Sequence, residues 1–256
     1  MSAILPITIV SIKEFMRRKD FYVFLILLFV LLGVSCIQSF FQIEGISRYI
    51  RDVGYSLVTF FSFLVAVTFS ARQLPREIES HTIYPLLAKP ISRSMVILSK
   101  FCASAVVSTI SFLLLFLTFM FFDILKAGGM DPVLLLQAVV FGSLFLCMIC
   151  AVVIFFSTFM TFSANVTISI LIYLIITGFS DSLRDFAFYS KGFISYCSQI
   201  VYYLIPHFDF FNLRVRITHE WNALPFWVVA AVFVYTLIYC SFLIYLAGSI
   251  FGRKKL

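Results

Sequence analysis

Six stretches of this chain are long and apolar enough to cross a lipid bilayer, and that constrains its fold more than any motif. A spanning helix needs roughly 20 apolar residues, because only a continuous helix satisfies its own backbone across the hydrocarbon. The stretches are residues 21–41, 55–71, 101–122, 133–157, 166–179 (extended by the weakly polar 163–165) and 226–250. The fourth and fifth are separated by only a few residues and are expected to form a tight helical hairpin. The composition agrees: 62% of the 256 residues are hydrophobic, 12% are charged, and 33 are Phe. A soluble domain is roughly 45–50% apolar and about 25% charged. A soluble enzyme, a disordered chain and a disulfide-stapled secreted protein are thereby excluded. The expected fold class is all-α, a polytopic membrane protein built as a single domain over residues 1–256.

Lys and Arg set the orientation. With the amino terminus in the cytoplasm, six spans return the carboxyl terminus there. The cytoplasmic side then holds Lys13, Arg17, Arg18, Lys19, Arg72, Arg76, Lys89, Arg93, Lys100, Arg253, Lys254 and Lys255, twelve of the 19 basic residues. Seven remain outside: Arg48, Arg51, Lys126, Arg184, Lys191, Arg214 and Arg216. This is a positive-inside distribution, and its clustering between apolar runs argues against a nucleic-acid face despite the net charge of +7. Arg17, Arg18 and Lys19 precede a 21-residue apolar run without a small-residue cleavage site, so the first span is expected to stay as an anchor.

Two segments are expected at the membrane surface. Within residues 1–20, Leu5, Ile9, Ile12 and Met16 recur at helical spacing with Lys13, Glu14 and Arg17 opposite, an amphipathic cytoplasmic helix started by Pro6. Residues 181–222 are too polar to cross and too aromatic for a free loop. There Phe193, Cys197, Ile200, Val201 and Leu204 share one helical face that Pro206 ends. One or two short helices dipping into the outer leaflet are expected, with Tyr202, Tyr203, Trp221 and Trp227 at headgroup depth.

The spans hold no acidic, basic or imidazole group near their centres, which disfavours proton relays and charged ion pathways. Asp123 and Lys126 stand at the outer end of the third span, where a solvated cap is the ordinary reading. Ser35, Gln38, Ser104, Ser108, Thr109, Ser111, Gln137, Asn165, Thr167 and Thr236 are expected to serve helix–helix contacts. Cys147 and Cys150 have C-x-x-C spacing without a second Cys or His pair, so packing is expected and no metal site. His81 is assigned to one side and His207 and His219 to the other, and no catalytic constellation or P-loop occurs. No enzymatic activity of its own is expected, and any energy must come from a partner.

The loop of residues 72–94 carries the most information. A short helix is expected to begin at Pro75, with Glu77 and Glu79 near its positive end and Pro90 as its stop. Arg76, Glu77, Glu79, Lys89 and Arg93 place both signs of charge on a compact knob suited to a cleft on a soluble partner. The pattern Glu77-x-Glu79-x-x-Thr82-x-x-x-Leu86-Leu87-Ala88-Lys89-Pro90-Ile91-Ser92-Arg93, then Lys100, resembles the signature of ATP-binding-cassette (ABC) permeases of the type-2 exporter class. The amphipathic start ending in Lys13-Glu14-Phe15-x-Arg17-Arg18-Lys19, the six-span order, and Phe210-Phe211-Asn212 in the outer region are similar too. The family usually has Gly just before the Thr, where this chain has Ser80 and His81.

The resemblance implies a permease subunit without its motor, in a bacterial cytoplasmic (inner) membrane with both termini inside. Two chains, identical or homologous, would pair, each meeting an ABC ATPase subunit that binds ATP and Mg; this chain would hold no cofactor itself. Arg76, Glu77, Glu79, Thr82, Leu86, Leu87, Lys89, Pro90 and Arg93 would form the ATPase-coupling segment. Lys13, Glu14, Arg17, Arg18 and Lys100 would act as interfacial anchors. The expected activity is export of a hydrophobic or amphiphilic compound. The alternative is a non-transport anchor or mechanotransmitter that recruits an ATPase to envelope assembly or motility machinery.

Overall fold

A computed structural model of the chain describes residues 46–79, 93–127, 129–189 and 205–253. It adds the isolated helical positions Ile9, Lys13, Tyr22, Ile26, Phe29, Val30, Gly33, Tyr196, Ser198, Gln199 and Tyr202. All regular structure among these residues is helical: α1 (Ile46–Glu79), α2 (Arg93–Ala127), α3 (Pro132–Ser157), α4 (Phe162–Tyr189), a 3₁₀ turn (Phe208–Phe211), α5 (Arg214–Thr218) and α6 (Phe226–Arg253). Among the described residues, five helices are long and apolar enough to span a membrane: α1, α2, α3, α4 and α6. They correspond to the second through sixth expected spans. The expected first span and amphipathic start lie almost wholly outside the described residues, as does the Phe193–Leu204 face. The two ends of the bundle are called inner and outer after the positive-inside expectation.

α3 is the central helix. It has the highest hydropathy, and 61% of its most apolar window is buried inside the protein, against 17% for α4 and for α6. A helix apolar on every side belongs where every side is covered by protein or lipid. Its Phe141, Phe145 and Leu146 meet Phe63 and Val67 of α1 and Phe112, Phe116 and Phe119 of α2 in one core. The outward faces of α4 and α6 carry Leu171, Leu174, Phe179, Phe233, Leu237 and Tyr245, all exposed and suited to lipid. Gly142 lets α3 approach the Phe112 ring so closely that a Cβ there would collide with it.

The helices run well beyond the hydrophobic stretches read from the sequence. α1 starts nine residues before Tyr55, α2 eight before Phe101, and α4 continues ten past Phe179, through Asp181, Arg184 and Asp185. The turn into α3 uses Gly129 at φ +84, a left-handed conformation that favours glycine. Asp131 then caps α3, its side chain accepting from Val133 N at 3.2 Å, with Pro132 in the first turn. The α3–α4 hairpin turns on residues 158–161, as tightly as the sequence predicts.

One expected start is corrected. Pro75 does not begin a new helix; it lies inside α1, which continues to Glu79. Glu77 and Glu79 therefore stand in the last turn of a helix, the negative end of its dipole, rather than in a first turn. Pro favours a first turn because its missing N–H is unneeded there, but the carbonyls it orphans can be satisfied from a neighbouring helix.

Candidate functional site

That neighbour is α3. Proline at position 75 cannot donate to the Ala71 carbonyl one turn earlier. Ser157 Oγ of α3 lies 3.4 Å from both Ser70 O and Ala71 O and donates in their place. Ser157 is itself held: Asn165 Nδ2 of α4 donates to Ser157 Oγ at 2.7 Å and to Val153 O at 3.0 Å. Ser169 Oγ donates to Asn165 Oδ1 at 3.1 Å. Asn165 and Thr158 are fully buried, Ser157 and Ser169 nearly so. This knot joins three helices at the inner end, where apolar lipid offers no alternative partner.

Below the knot, Leu74 of α1, Ile97 of α2, Ile154 of α3 and Ala247 and Phe251 of α6 form a second core with no exposed surface. Arg93, the first residue of α2, donates toward Phe251 O and Gly252 O at 3.3 and 3.4 Å, capping the last carbonyls of α6. α6 packs closely on α2 there, since a Cβ on Gly248 would lie 3.1 Å from Ser94 Oγ. Residues 80–92 thus leave from one helix anchored in this core and return into another.

The outer end is tied by charge. Arg51 exposes 1% of its side chain. Its Nε donates to Asp123 Oδ1 of α2 at 2.7 Å, its Nη2 to Gly129 O at 2.8 Å, and its Nη1 to the Glu220 carboxylate. Asp123 is therefore not a solvated cap: it is buried because Arg51 neutralises it. Glu220 reaches the cluster from a left-handed backbone conformation (φ 54) that turns the chain after α5. Next to Arg51, Asp52 accepts from Arg214 Nε and Nη2 at 2.7 and 2.6 Å and from Thr218 Oγ1 at 3.1 Å. That hydrogen bond with Asp52 raises the Arg214 pKa above its ordinary value. Gln137 of α3 exchanges two hydrogen bonds with Leu224, donating to its carbonyl at 2.7 Å and accepting from its N–H at 2.8 Å. The outer segment before α6 is thereby pinned to α1, α2 and α3.

Between the two tied ends lies a cavity of about 460 Å³ in the outer half. α1 contributes Tyr55 and Phe60, α3 Gly142 and Phe145, α4 Tyr173, and the outer segment Phe208, Asp209, Phe211, Asn212 and Arg214. The rings hold one another: Phe145 and Tyr173 lie 5.8 Å apart, Tyr173 and Phe208 5.8 Å, and Phe145 meets Phe208 edge-on at 5.8 Å.

A match to the family described as ABC-2 family transporter protein extends over residues 5–256. The chain belongs to that family. No curated protein matches it. This ABC-2 chain is thus a membrane transporter component of a kind that does not itself hydrolyse ATP.

The residues singled out in the sequence fall as follows in this ABC-2 protein. Arg76 is exposed near the end of α1, and Glu77 and Glu79 belong to its last turn. Arg93 caps α6 as described. Lys100, expected at the head of its span, stands two turns inside α2 and is 4% exposed. Lys13 is helical and exposed. Thr82, Leu86, Leu87, Lys89, Pro90, Glu14, Arg17 and Arg18 lie outside the described residues. Of the polar span residues, Ser104, Thr109, Ser111, Thr167 and Thr236 bond carbonyls of their own helix, not other helices. Asn165 and Ser108, the latter 3.3 Å from Cys150 Sγ, do join helices, while Gln137 ties α3 to the segment before α6. Sequence reasoning missed Arg51, Asp52 and Ser157. The buried Arg51–Asp123 pair leaves no spacing signal, since its members are 72 residues apart.

Proposed function

We propose that this chain is the permease subunit of an ATP-driven exporter, forming the pathway for a hydrophobic or amphiphilic compound and worked by a separate ABC ATPase. The observation that carries the reading is the continuity of α1. One unbroken helix lines the outer cavity at Tyr55 and Phe60, is knotted to α3 at Pro75, and ends at Glu79, where residues 80–92 begin. A push on that loop is delivered along a stiff rod to the cavity wall, because helices shift as bodies while packed cores do not stretch. In this reading Glu77 and Glu79 contact the ATPase, and Lys89 and Arg93 orient the loop. The amino-terminal helix lies on the cytoplasmic face, two permease chains pair, and the assembly sits in a bacterial inner membrane.

The test is purification of the full chain from its native membrane with whatever nucleotide-hydrolysing subunit accompanies it. The complex is expected to contain a P-loop protein and to show vanadate-sensitive ATP hydrolysis. Reversing the charge with Glu79→Lys is expected to leave the chain folded and to abolish coupling between hydrolysis and transport. A fully coupled Glu79→Lys complex, or a chain that copurifies with no nucleotide-hydrolysing protein, would refute the reading.

A further inference from the structure

The outer cavity shows a chemical preference that the exporter reading leaves open. Its wall is aromatic, with Phe145, Tyr173, Phe208 and Phe211 packed on one another so that their faces and edges are fixed. Two charged side chains line it, Asp209 and Arg214. Arg214 is already engaged, its Nε and Nη2 on the two oxygens of Asp52. Asp209 lies on the 3₁₀ turn, between Phe208 and Phe210 in sequence, and is exposed. Its side chain forms no hydrogen bond or ion pair among the described residues, though it is within electrostatic reach of the Tyr173 hydroxyl.

The Ser and Thr hydroxyls of the lining are already engaged as donors. Ser56, Thr59 and Thr177 line the cavity, yet each bonds a carbonyl of its own helix: Ser56 to Asp52 O, Thr59 to Tyr55 O and Thr177 to Tyr173 O. The other acids tied here are each paired with an arginine, Asp123 and Glu220 with Arg51 and Asp52 with Arg214, which leaves Asp209 as the lining carboxylate without such a pair among the described residues. Aromatic faces and a carboxylate without an ion-pair partner both attract positive charge.

We propose that this cavity binds an amphiphilic organic cation, its charged centre against Asp209 and its apolar body among the rings of Phe145, Tyr173, Phe208 and Phe211. The proposal deepens the exporter reading by naming a cargo class, but its test needs no ATPase. Failure of ATPase coupling with selective cation binding intact counts against that reading alone. Coupled hydrolysis without selective binding counts against this proposal alone.

The experiment compares tetraphenylphosphonium with tetraphenylborate, which share a shape and differ in the sign of charge. Binding is measured by equilibrium dialysis on the full chain in a neutral maltoside detergent, with protein-free micelles subtracted. The wild type is expected to bind the phosphonium saturably and at least tenfold more tightly than the borate. Asp209→Asn is expected to weaken phosphonium binding at least fivefold without weakening the borate, and Asp209→Glu to retain it. Equal or preferred borate binding by the wild type overturns the proposal without reference to any variant. So does an Asp209→Asn chain with unchanged selectivity. Displacement of the phosphonium by added phosphatidylethanolamine would assign the site to a lipid headgroup and likewise overturn the assignment.

Discussion

Arg51 carries a full charge with almost no solvent contact, and its three anchoring nitrogens reach three different segments: α2, the α2–α3 turn and the chain after α5. Removing one member of such a buried pair leaves the other charge desolvated and alone, at a cost of about 3–5 kcal/mol. Asp123 exposes 2% of its side chain and Glu220 67%, so the two acids should not weigh equally. Asp123→Ala is expected to lower the unfolding midpoint in detergent by about 6–12 °C, taking roughly 3 kcal/mol at about 2–4 °C each. Glu220→Ala should cost only about 1 kcal/mol, because a solvated partner contributes little. Differential scanning fluorimetry of the two variants decides it; equal shifts would mean that Arg51 is not held as described. None of this was legible from hydropathy, which scores Arg51 and Asp123 as charges that end a span. Pairing lets both enter the helices instead, which is why α1 reaches back to Ile46.

At the scale of elements, Pro75 shows the limit of a local rule. The preference of proline for a first turn is sound, and from the sequence alone a helix start at residue 75 was the economical reading. What reversed it is a tertiary contact: a serine 82 residues further on that supplies the donor proline lacks. Ser157 and Pro75 should therefore be energetically coupled. In the wild type, Ser157→Ala removes the replacement donor and one arm of the Asn165 network, an expected loss of about 1–2 kcal/mol. In a Pro75→Ala background Ala71 O regains an N–H of its own helix, so the same Ser157→Ala change should cost roughly 0.5–1 kcal/mol less. A double-mutant cycle of unfolding in mixed micelles measures the difference. Strict additivity would show that the 3.4 Å contacts contribute nothing. The hairpin that Asn165 locks was, by contrast, readable from the sequence, because two apolar runs separated by a few residues have no other way to fold.

For the whole molecule, the positive-inside arithmetic and the contacts can be joined. Arg93 on the carbonyls of Phe251 and Gly252 places the start of α2 beside the end of α6. Arg51 on Asp123 and Glu220 places the start of α1 beside the end of α2 and the segment leading to α6. The five helices must therefore alternate in direction, and a single measurement of sidedness fixes them all. His219 and Arg253 are exposed at opposite ends. A membrane-impermeant maleimide applied to intact cells is expected to label His219→Cys above the wild-type background. Arg253→Cys should be labelled only after permeabilisation. The reverse pattern would put residues 80–92 outside the cell, beyond the reach of any cytoplasmic ATPase. Because the contacts make orientation all-or-none, no local rearrangement could return residues 80–92 to the cytoplasm while leaving α6 inverted.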